Sequence, residues 1–376
     1  MIVAALSLFT IFPATAAGPR EQDRRDKTYP AEKGGALVVR IGGGSIEIRS
    51  WDRNEVAVRV DNGGDEAEDA VSVKQQGSTI LIESGPDGVS NDMRLEVTVP
   101  ARFDLHLSTN AGDIGIEGPL TGSLTGNTSG GDIRIGDVGG TVKMTTSGGD
   151  IVTGNIQGDL WLNTSGGNIH LGAVSGDADV STSGGEIEIR SAGKRLTAKT
   201  SGGNVTIGDV GSDATASTAG GDISIGTASG SATLNTAGGN VTLRGATGTV
   251  RASTSGGDLL LENITGSVDG NTAGGNITAT LAPGNSGKSR LTTAAGDIHL
   301  FVPDKTRATI NAQIQIHRWH RDREKKYDIQ SDFPSSTFTK ENSGDEIRAT
   351  YLLNGGGQEI ILRTTNGNIT IRKAQP

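Results

Sequence analysis

A short unit that repeats without slippage constrains this chain more than any other feature. From Thr128 to Ser289 the sequence consists of nine consecutive 18-residue units, each opening with Thr-Ser/Ala-Gly-Gly, then an acidic or amide residue and an aliphatic one. A fixed short period is typical of a solenoid, because one unit is too small to enclose a core and stacked neighbours complete it. The fifth positions of the units are Asp132, Asp150, Asn168, Glu186, Asn204, Asp222, Asn240, Asp258 and Asn276.

Apolar residues recur at fixed places and define two short strands in each unit. In the first unit Ile133 and Ile135 form one pair, and Val142 and Met144 form another. A spacing of two places both members of a pair on the same, inward face of a strand. Two facing sheets about 10 Å apart admit medium aliphatic side chains, which accounts for an aromatic content of only 3%. The opening threonine is predicted to point inward and to bond to the corner backbone or to the next threonine.

The sequence therefore predicts an all-β fold, a parallel β-helix or β-solenoid with 18-residue coils and irregular, longer coils at both ends. The period does not fix its handedness, and right-handed winding is favoured as the commoner choice. The alternative fold is a meander of hairpins, which would separate equal positions by two strands. The paired glycines are predicted to supply a positive φ at one corner, and glycines such as Gly140 and Gly158 mark the opposite corner.

The chain divides by composition into five segments. Residues 1–17 are uncharged and mostly apolar and end in an alanine-rich, cleavage-like stretch, which predicts a signal peptide cut after Ala16 or Ala17. A flexible leader is predicted at 18–35, irregular β coils at 36–108 and the regular solenoid at 109–300. A C-terminal β cap is predicted at 301–376, with a charged loop at 313–345. We therefore expect export to the periplasm, the cell surface or the medium, with no transmembrane span in the mature chain.

Charge and cysteine content exclude several classes of function. The formal net charge of −9 argues against non-specific nucleic-acid binding, which needs a basic surface. The absence of cysteine from the sequence excludes disulfides, thiolate metal sites and a cysteine nucleophile. No residue pattern indicates a cofactor.

Three patterns are superficially similar to ligand sites. The Asp/Asn/Glu column is compared with calcium-binding nonapeptide repeats, but its spacing differs, and Asx-type turns with bonds to nearby backbone are favoured. Residues 282–289 nearly match a phosphate-binding loop, but a strand is predicted after them where that site needs a helix N-terminus. His317 and His320 lie in a charged stretch without an evident third ligand. No metal site is predicted.

Four residues are candidates for surface contacts. Trp161 falls at an outward position of a strand, where its ring could stack on a sugar. Trp319 lies with Arg318 and Arg321 in the charged stretch, a combination that could bind an anionic glycan or a membrane surface. An exposed loop and a solitary exposed aromatic are the simpler interpretations of these residues.

A glycan-cleaving enzyme would need acid–base residues clustered on one face at one height of the stack. The outward column between the first pair of aliphatics shows no such cluster, since it contains Arg134, Val152, His170, Glu188, Thr206 and Ser224. No catalytic residues are therefore predicted.

The repeated Thr-Ser-Gly-Gly-Asp-Ile and the closing segment Leu362–Ile371 (LRTTNGNITI) resemble the bacterial adhesin-like family of unknown function whose domain is called toastrack. The resemblance covers about Ala36 to Lys373. It implies an exported or envelope-associated β-solenoid without established catalytic residues. We therefore predict a non-enzymatic, adhesin-like interaction scaffold of the cell envelope, whose partner at the cell surface could be a glycan. The alternative is a glycan-binding or glycan-cleaving β-helix protein.

Overall fold

The computed structural model describes residues 27–61, 70–85, 92–282, 284, 287–317, 327–340 and 345–374. These residues form 35 β-strands in two long sheets. Sheet A contains, in spatial order, β1 (Lys27–Pro30), β4 (Glu55–Asp61), β7 (Arg94–Pro100), β3 (Ser45–Trp51), β9 (Ile114–Glu117), β11 (Ile133–Ile135), β13 (Ile151–Thr153), β15 (Ile169–Val174), β17 (Ile187–Ala192), β19 (Val205–Val210), β21 (Ile223–Ala228), β23 (Val241–Ala246), β25 (Leu259–Ile264), β27 (Ile277–Leu281), β29 (Ile298–Val302), β35 (Ile369–Lys373) and β31 (Ile329–Ser331). Sheet B contains β5 (Val71–Gln76), β6 (Thr79–Ser84), β2 (Gly35–Arg40), β8 (Phe103–Ser108), β10 (Leu124–Asn127), β12 (Val142–Thr145), β14 (Leu160–Asn163), β16 (Ala178–Ser181), β18 (Leu196–Lys199), β20 (Ala214–Ser217), β22 (Ala232–Asn235), β24 (Val250–Ser253), β26 (Val268–Thr272), β28 (Ser289–Thr293), β34 (Gln358–Thr365), β30 (Ala308–Gln315), β33 (Glu346–Leu353) and β32 (Thr337–Lys340).

Each regular coil contributes one strand to each sheet, and successive coils pair in parallel and in register. Ile133 lies opposite Ile151, which lies opposite Ile169 on the next strand. Copies of one position are thus direct neighbours, which confirms the predicted solenoid and excludes the hairpin meander. Between the two strands, Val138 and Ile156 continue the column through isolated β-bridges.

The core is a continuous column of inward aliphatic residues that runs through the whole stack. Ile223 is 1% exposed, and the two strands of every coil alternate between inward and outward positions as predicted. Phe103 and Tyr351 are nevertheless buried, and both belong to coils outside the regular array. The ring of Phe103 fits because Gly35 has no side chain: a Cβ there would lie 2.6 Å from a ring carbon.

The paired glycines serve a different purpose from the one predicted. None of those in the array has a backbone in the left-handed region, so the prediction of a positive φ is wrong. The second glycine of each pair instead packs against the backbone of the preceding coil. A Cβ on Gly149 would lie 2.0 Å from the carbonyl oxygen of Gly131, and a Cβ on Gly140 would lie 2.2 Å from that of Gly122. Glycine is required at the first corner because the backbones stack too closely for a side chain, whereas at the opposite corner Lys194 and Ser212 take the place of glycine in two coils.

At the N-terminal end the coils stack out of chain order. Strand β2 lies between β6 and β8, and β3 lies between β7 and β9. Antiparallel strands β1 and β5 form the outer edges of the two sheets. Strand β1 falls within the predicted leader 18–35, and Tyr29 of this strand packs against the core. Part of that leader is therefore β-structure, whereas the predicted signal peptide lies outside the described residues.

The C-terminal end is also stacked out of order. Strand β34 lies between β28 and β30, and β35 lies between β29 and β31. The closing segment therefore lies one coil inside the stack and does not cover its open edge. Its Asn366 has a φ of 53°, in agreement with a tight turn at Asn366-Gly367. The predicted loop 313–345 contains the end of β30 together with β31 and β32.

Candidate functional site

The column of acidic and amide residues ties each coil to the next. The backbone N–H of Asp150 donates to Oδ1 of Asp132 at 2.9 Å, and that of Asn168 donates to Oδ1 of Asp150 at 2.7 Å. The predicted Asx-type bond is therefore made to the following coil and not within the same turn. Asn and Asp alternate freely because only one acceptor oxygen is needed. In the part of the chain that the structure describes, no group of three or more His, Asp or Glu side chains is arranged to hold a metal ion.

The opening threonines form a second tie between coils. The Thr182 hydroxyl donates to the carbonyl of Gly167 in the preceding coil at 2.8 Å, and it accepts the N–H of Gly185 at 3.3 Å. These threonines are buried, as predicted. Most repeated polar side chains are thus occupied by the fold, and ligand contacts must come from side chains that break the repeat.

One side chain that departs from the repeat lies on the outer face of sheet B. Trp161 is 37% exposed there, and the ammonium nitrogen of Lys143 on the next strand lies 5.0 Å from the centre of its ring. Strand pairing continues this row through Thr125 to His106 in one direction and to Asp179 in the other. The structure therefore places Trp161 outward, as predicted, at the end of a row of polar and cationic residues.

Beside this row lies a hollow of about 660 Å³, which we call the sheet B depression. Its lining combines short side chains with the longer Arg40 and Lys143. The polar side chains that line it are Arg40, His106, Ser108, Thr125, Asn127, Lys143 and Thr145. His106 hydrogen-bonds through Nδ1 to the Thr125 hydroxyl, and Arg40 lies 3.5 Å from a carboxylate oxygen of Glu83. The hollow lies where β2, with its long Arg40, pairs with β8, which in turn pairs with β10.

A second hollow of about 350 Å³ lies on sheet A, and its lining includes Glu47, Asp113, Glu117 and Arg134. Burial raises the pKa of the Glu47 carboxyl, and the nearby Arg94 guanidinium partly offsets this effect. The carboxylate lies over Gly115, where a Cβ would be 2.3 Å from its Oε2. Sequence reasoning missed this cluster because strands β3 and β9, far apart in the chain, pair directly. The glycine at the outward position 115 was the available signal.

The neighbouring charges of this second hollow are paired with one another. The Arg49 guanidinium donates to the Glu117 carboxylate at 3.0 Å. The Arg134 guanidinium donates to Asp132 at 2.7 Å and lies 3.6 Å from a carboxylate oxygen of Asp113.

The other residues singled out from the sequence lie in the charged stretch around residues 317–321 and in the stretch 282–289. Trp319, Arg318, Arg321 and His320 lie outside the described residues, so their roles stay predictions. The backbone N–H of His317 donates to Oδ1 of Asn366. Lys288, from the stretch similar to a phosphate-binding loop, pairs with Glu359 at 2.8 Å, and the strand β28 follows it, as expected. Among the described residues, no helix has the length and apolar character needed to cross a membrane.

Comparison with solved structures gives several remote similarities. A "putative adhesin" from Bacteroides fragilis is 15% identical, with 68% of this chain and 95% of that chain covered and a TM-score of 0.27. A "putative adhesin" and a "putative lipid binding protein" from Parabacteroides distasonis are each 14% identical over the same shares, with TM-scores of 0.34 and 0.29. No curated protein matches the chain.

A family model gives a much more extensive match. The model described as Toastrack DUF4097 matches residues 33–207 and again residues 175–372. The two matches overlap and together include both sheets from the N-terminal coils to the closing segment. The chain therefore belongs to the Toastrack DUF4097 family.

Proposed function

We propose that this protein is a non-enzymatic, adhesin-like scaffold of the cell envelope that binds a glycan on the outer face of sheet B. The observation that carries the proposal is the exposed Trp161 beside the sheet B depression. An indole ring offers an apolar face to the C–H groups of a sugar, and its surroundings offer hydrogen bonds to the hydroxyl groups.

The polar surroundings suit that ligand class. Two residues from Trp161 on the same strand, the side-chain oxygen of Asn163 accepts the Ser181 hydroxyl at 2.7 Å. Asn127 and Thr145 extend this second row toward the depression. Successive strands are about 4.8 Å apart, so a saccharide lying across them meets a hydrogen-bonding side chain at each step.

The outer surface supports a scaffold because the repeat leaves few groups free for chemistry. The threonine and Asp/Asn columns are bonded between coils, so their hydroxyl and carboxylate groups stabilise the stack. A long, rigid body with one recognition surface near one end is suited to presenting that surface away from its attachment.

Binding is tested with the purified mature chain on an array of bacterial and host polysaccharides. Trp161→Ala should weaken retention of the bound glycan about fivefold, since an aromatic contact contributes roughly 1 kcal/mol and each 1.4 kcal/mol corresponds to tenfold. Phe338→Ala is the matched control, because Phe338 is also an exposed aromatic residue but lies on β32, at the opposite end of sheet B from the depression. Equal binding by both variants, or no glycan retained by the wild type, would contradict the proposal.

Export is tested separately from binding. Fractionation of cells that produce the full chain should place it outside the cytoplasm, with a new N-terminus after Ala16 or Ala17. An intact N-terminus on cytoplasmic protein would refute export and leave the binding proposal open to its own test.

Glycan cleavage at the sheet A hollow is the second candidate function. The raised pKa of Glu47 beside Glu117 and Asp113 favours it, because a general acid needs a carboxyl that stays protonated. Turnover of a polysaccharide that is lost in Glu47→Gln and kept in Glu188→Gln would establish the enzyme and overturn the non-enzymatic scaffold. Glu188 is a suitable control because it is an exposed carboxylate in the same outward column.

A further inference from the structure

We infer that the sheet B depression recognises the carboxylate of an acidic sugar, so that the ligand is a glycan containing a uronic or sialic acid residue. This inference rests on the proposed function and adds the chemical class of its ligand. It follows from the charges around the depression and from the contact between Lys143 and Trp161.

The depression is basic on a protein that is acidic as a whole. The formal net charge is −9, yet Arg40, His106 and Lys143 all line this one hollow. Farther along the same row of sheet B, Thr197, Thr215 and Thr233 are neutral, and Arg251 beyond them lies opposite Asp269. A local group of basic side chains attracts an anion.

The nearby carboxylates do not cancel these charges. Glu83 is shared between Arg40 at 3.5 Å and Lys74 at 3.7 Å. Asp104 accepts both the N–H and the hydroxyl of Ser123 at 2.8 Å. Asp179 lies on the far side of Trp161 from Lys143. Among the described residues, Lys143 has no carboxylate partner, and its ammonium group lies over the indole ring of Trp161.

The contact between Lys143 and Trp161 couples charge to stacking. In the free protein the ammonium group lies 5.0 Å from the ring centre and covers one face of the indole. A cation–π contact at an exposed site contributes about 0.5–1 kcal/mol, less than a charge-assisted hydrogen bond to a carboxylate. A ligand carboxylate therefore draws the ammonium away from the ring and exposes the indole face to the sugar. A neutral sugar cannot make this exchange and must compete with Lys143 for the ring.

The small side chains that line the depression leave room for the acidic group. Ser108, Thr125 and Thr145 are small, whereas Arg40 and Lys143 stand at opposite margins across the strands β2, β8, β10 and β12. Three strand spacings of about 4.8 Å separate β2 from β12. An acidic group in the depression can therefore meet the guanidinium fork of Arg40 or the ammonium of Lys143, and an acidic oligosaccharide can meet both.

The test uses two matched pairs of ligands and isothermal titration calorimetry with the mature chain. The pairs are oligogalacturonate with its neutral methyl ester, and sialyllactose with lactose. The wild type should bind the acidic member of at least one pair about tenfold more tightly, and this preference should shrink between 50 and 500 mM salt, concentrations chosen to vary screening. Lys143→Gln should remove the preference while binding of the neutral member stays equal or improves, because the indole face is uncovered.

Arg251→Gln is the matched control. Arg251 occupies the same outward row of sheet B on β24, far from the depression, so its loss should leave the preference unchanged. Arg40→Gln should weaken the acidic ligand about as much as Lys143→Gln does.

The outcomes separate the two proposals. Equal affinity for the acidic and neutral members of both pairs overturns the inference while the glycan-binding function stands on its Trp161 test. An equal loss in Arg251→Gln and Lys143→Gln overturns it too, because the attraction is then a property of overall charge. Absence of binding to every glycan removes the proposed function and the inference with it.

Discussion

The regular array and the N-terminal coils build the same two sheets but obtain their neighbours in different ways. In the array, each strand pairs with its copy one unit away, as Ile187 does with Val205. At the N-terminal end, Ile46 lies between Leu95 and Ile114, which belong to segments far along the chain. Inward and corner positions of the array are therefore dictated by their copies, whereas the end coils bring together residues from segments that do not repeat one another.

This difference bears on two of the hollows, while another of about 500 Å³ lies along the array beside Asn240, Asp258 and His299. The sheet B depression is lined from β2, β8, β10 and β12, and the sheet A hollow from β3, β9, β11 and β13. Both occur where the inserted N-terminal coil meets the first repeats. Recognition can develop there because the coil-to-coil ties of the array no longer determine every outward residue.

The largest expected effect comes from placing a charge inside the array. Ile223→Asp should lower the stability of the stack by about 3–5 kcal/mol, since the carboxylate would be buried without a partner. The loss should be confined to the coils around β21, because repeat stability is a sum of local terms. Thermal melting and hydrogen exchange measure the effect, and Ser224→Asp, at the next and outward position, is the control. Unchanged melting of Ile223→Asp would show that the column does not face the core.

The second test concerns the close stacking of backbones that only the array repeats. Gly149→Ala should destabilise the protein by about 1–3 kcal/mol, because its new Cβ would be 2.0 Å from the Gly131 carbonyl oxygen and the coils would have to separate. Its neighbour Gly148 has its nearest atom at 3.5 Å, so Gly148→Ala should cost less than 1 kcal/mol. Denaturant unfolding of the two variants gives the comparison. Equal losses would mean that the requirement for glycine is conformational and not steric.

The array could be predicted from the sequence because its period, its alternation and its inward threonines all describe local geometry. The glycine pairs show the limit of that reasoning. Their sequence suggests a turn with positive φ, but the reason for Gly149 lies in the preceding coil, whose carbonyl occupies the space of a side chain. The Asp/Asn column shows the same limit. Its side chains bond to backbone, as predicted, but to the backbone of the next coil, since Asp132 accepts the N–H of Asp150.

The candidate site was less predictable than the fold. The outward position of Trp161 follows from alternation, and the sequence identifies it. The depression beside it depends on β2 stacking against β8, and the Glu47 hollow depends on β3 stacking against β9. No local pattern specifies that residues 35–51 insert between later coils, so the residues that face Arg40 or Glu47 could not be chosen in advance.

The smallest expected effect tests whether the junction buries the Glu47 carboxyl more than the array buries Glu188 in the same outward column. Burial raises the pKa of Glu47 in the folded protein above its unfolded value. The ionised form is therefore disfavoured on folding, and stability falls as the pH rises from the unfolded pKa through the folded one. Glu47→Gln should be more stable than the wild type at pH 7 by less than about 1 kcal/mol. This gap should close once the pH falls below the unfolded pKa, where both chains are neutral at this position. Denaturant midpoints measured from pH 3.5 to pH 7.5, a range chosen to span the titration, provide the readout, and Glu188→Gln on the open face of β17 provides the control. A difference in stability that stays constant over this range, or a wild type more stable than Glu47→Gln at pH 7, would contradict the prediction. Ionising the Glu47 carboxyl would then cost no more at the junction than ionising an exposed glutamate of the array.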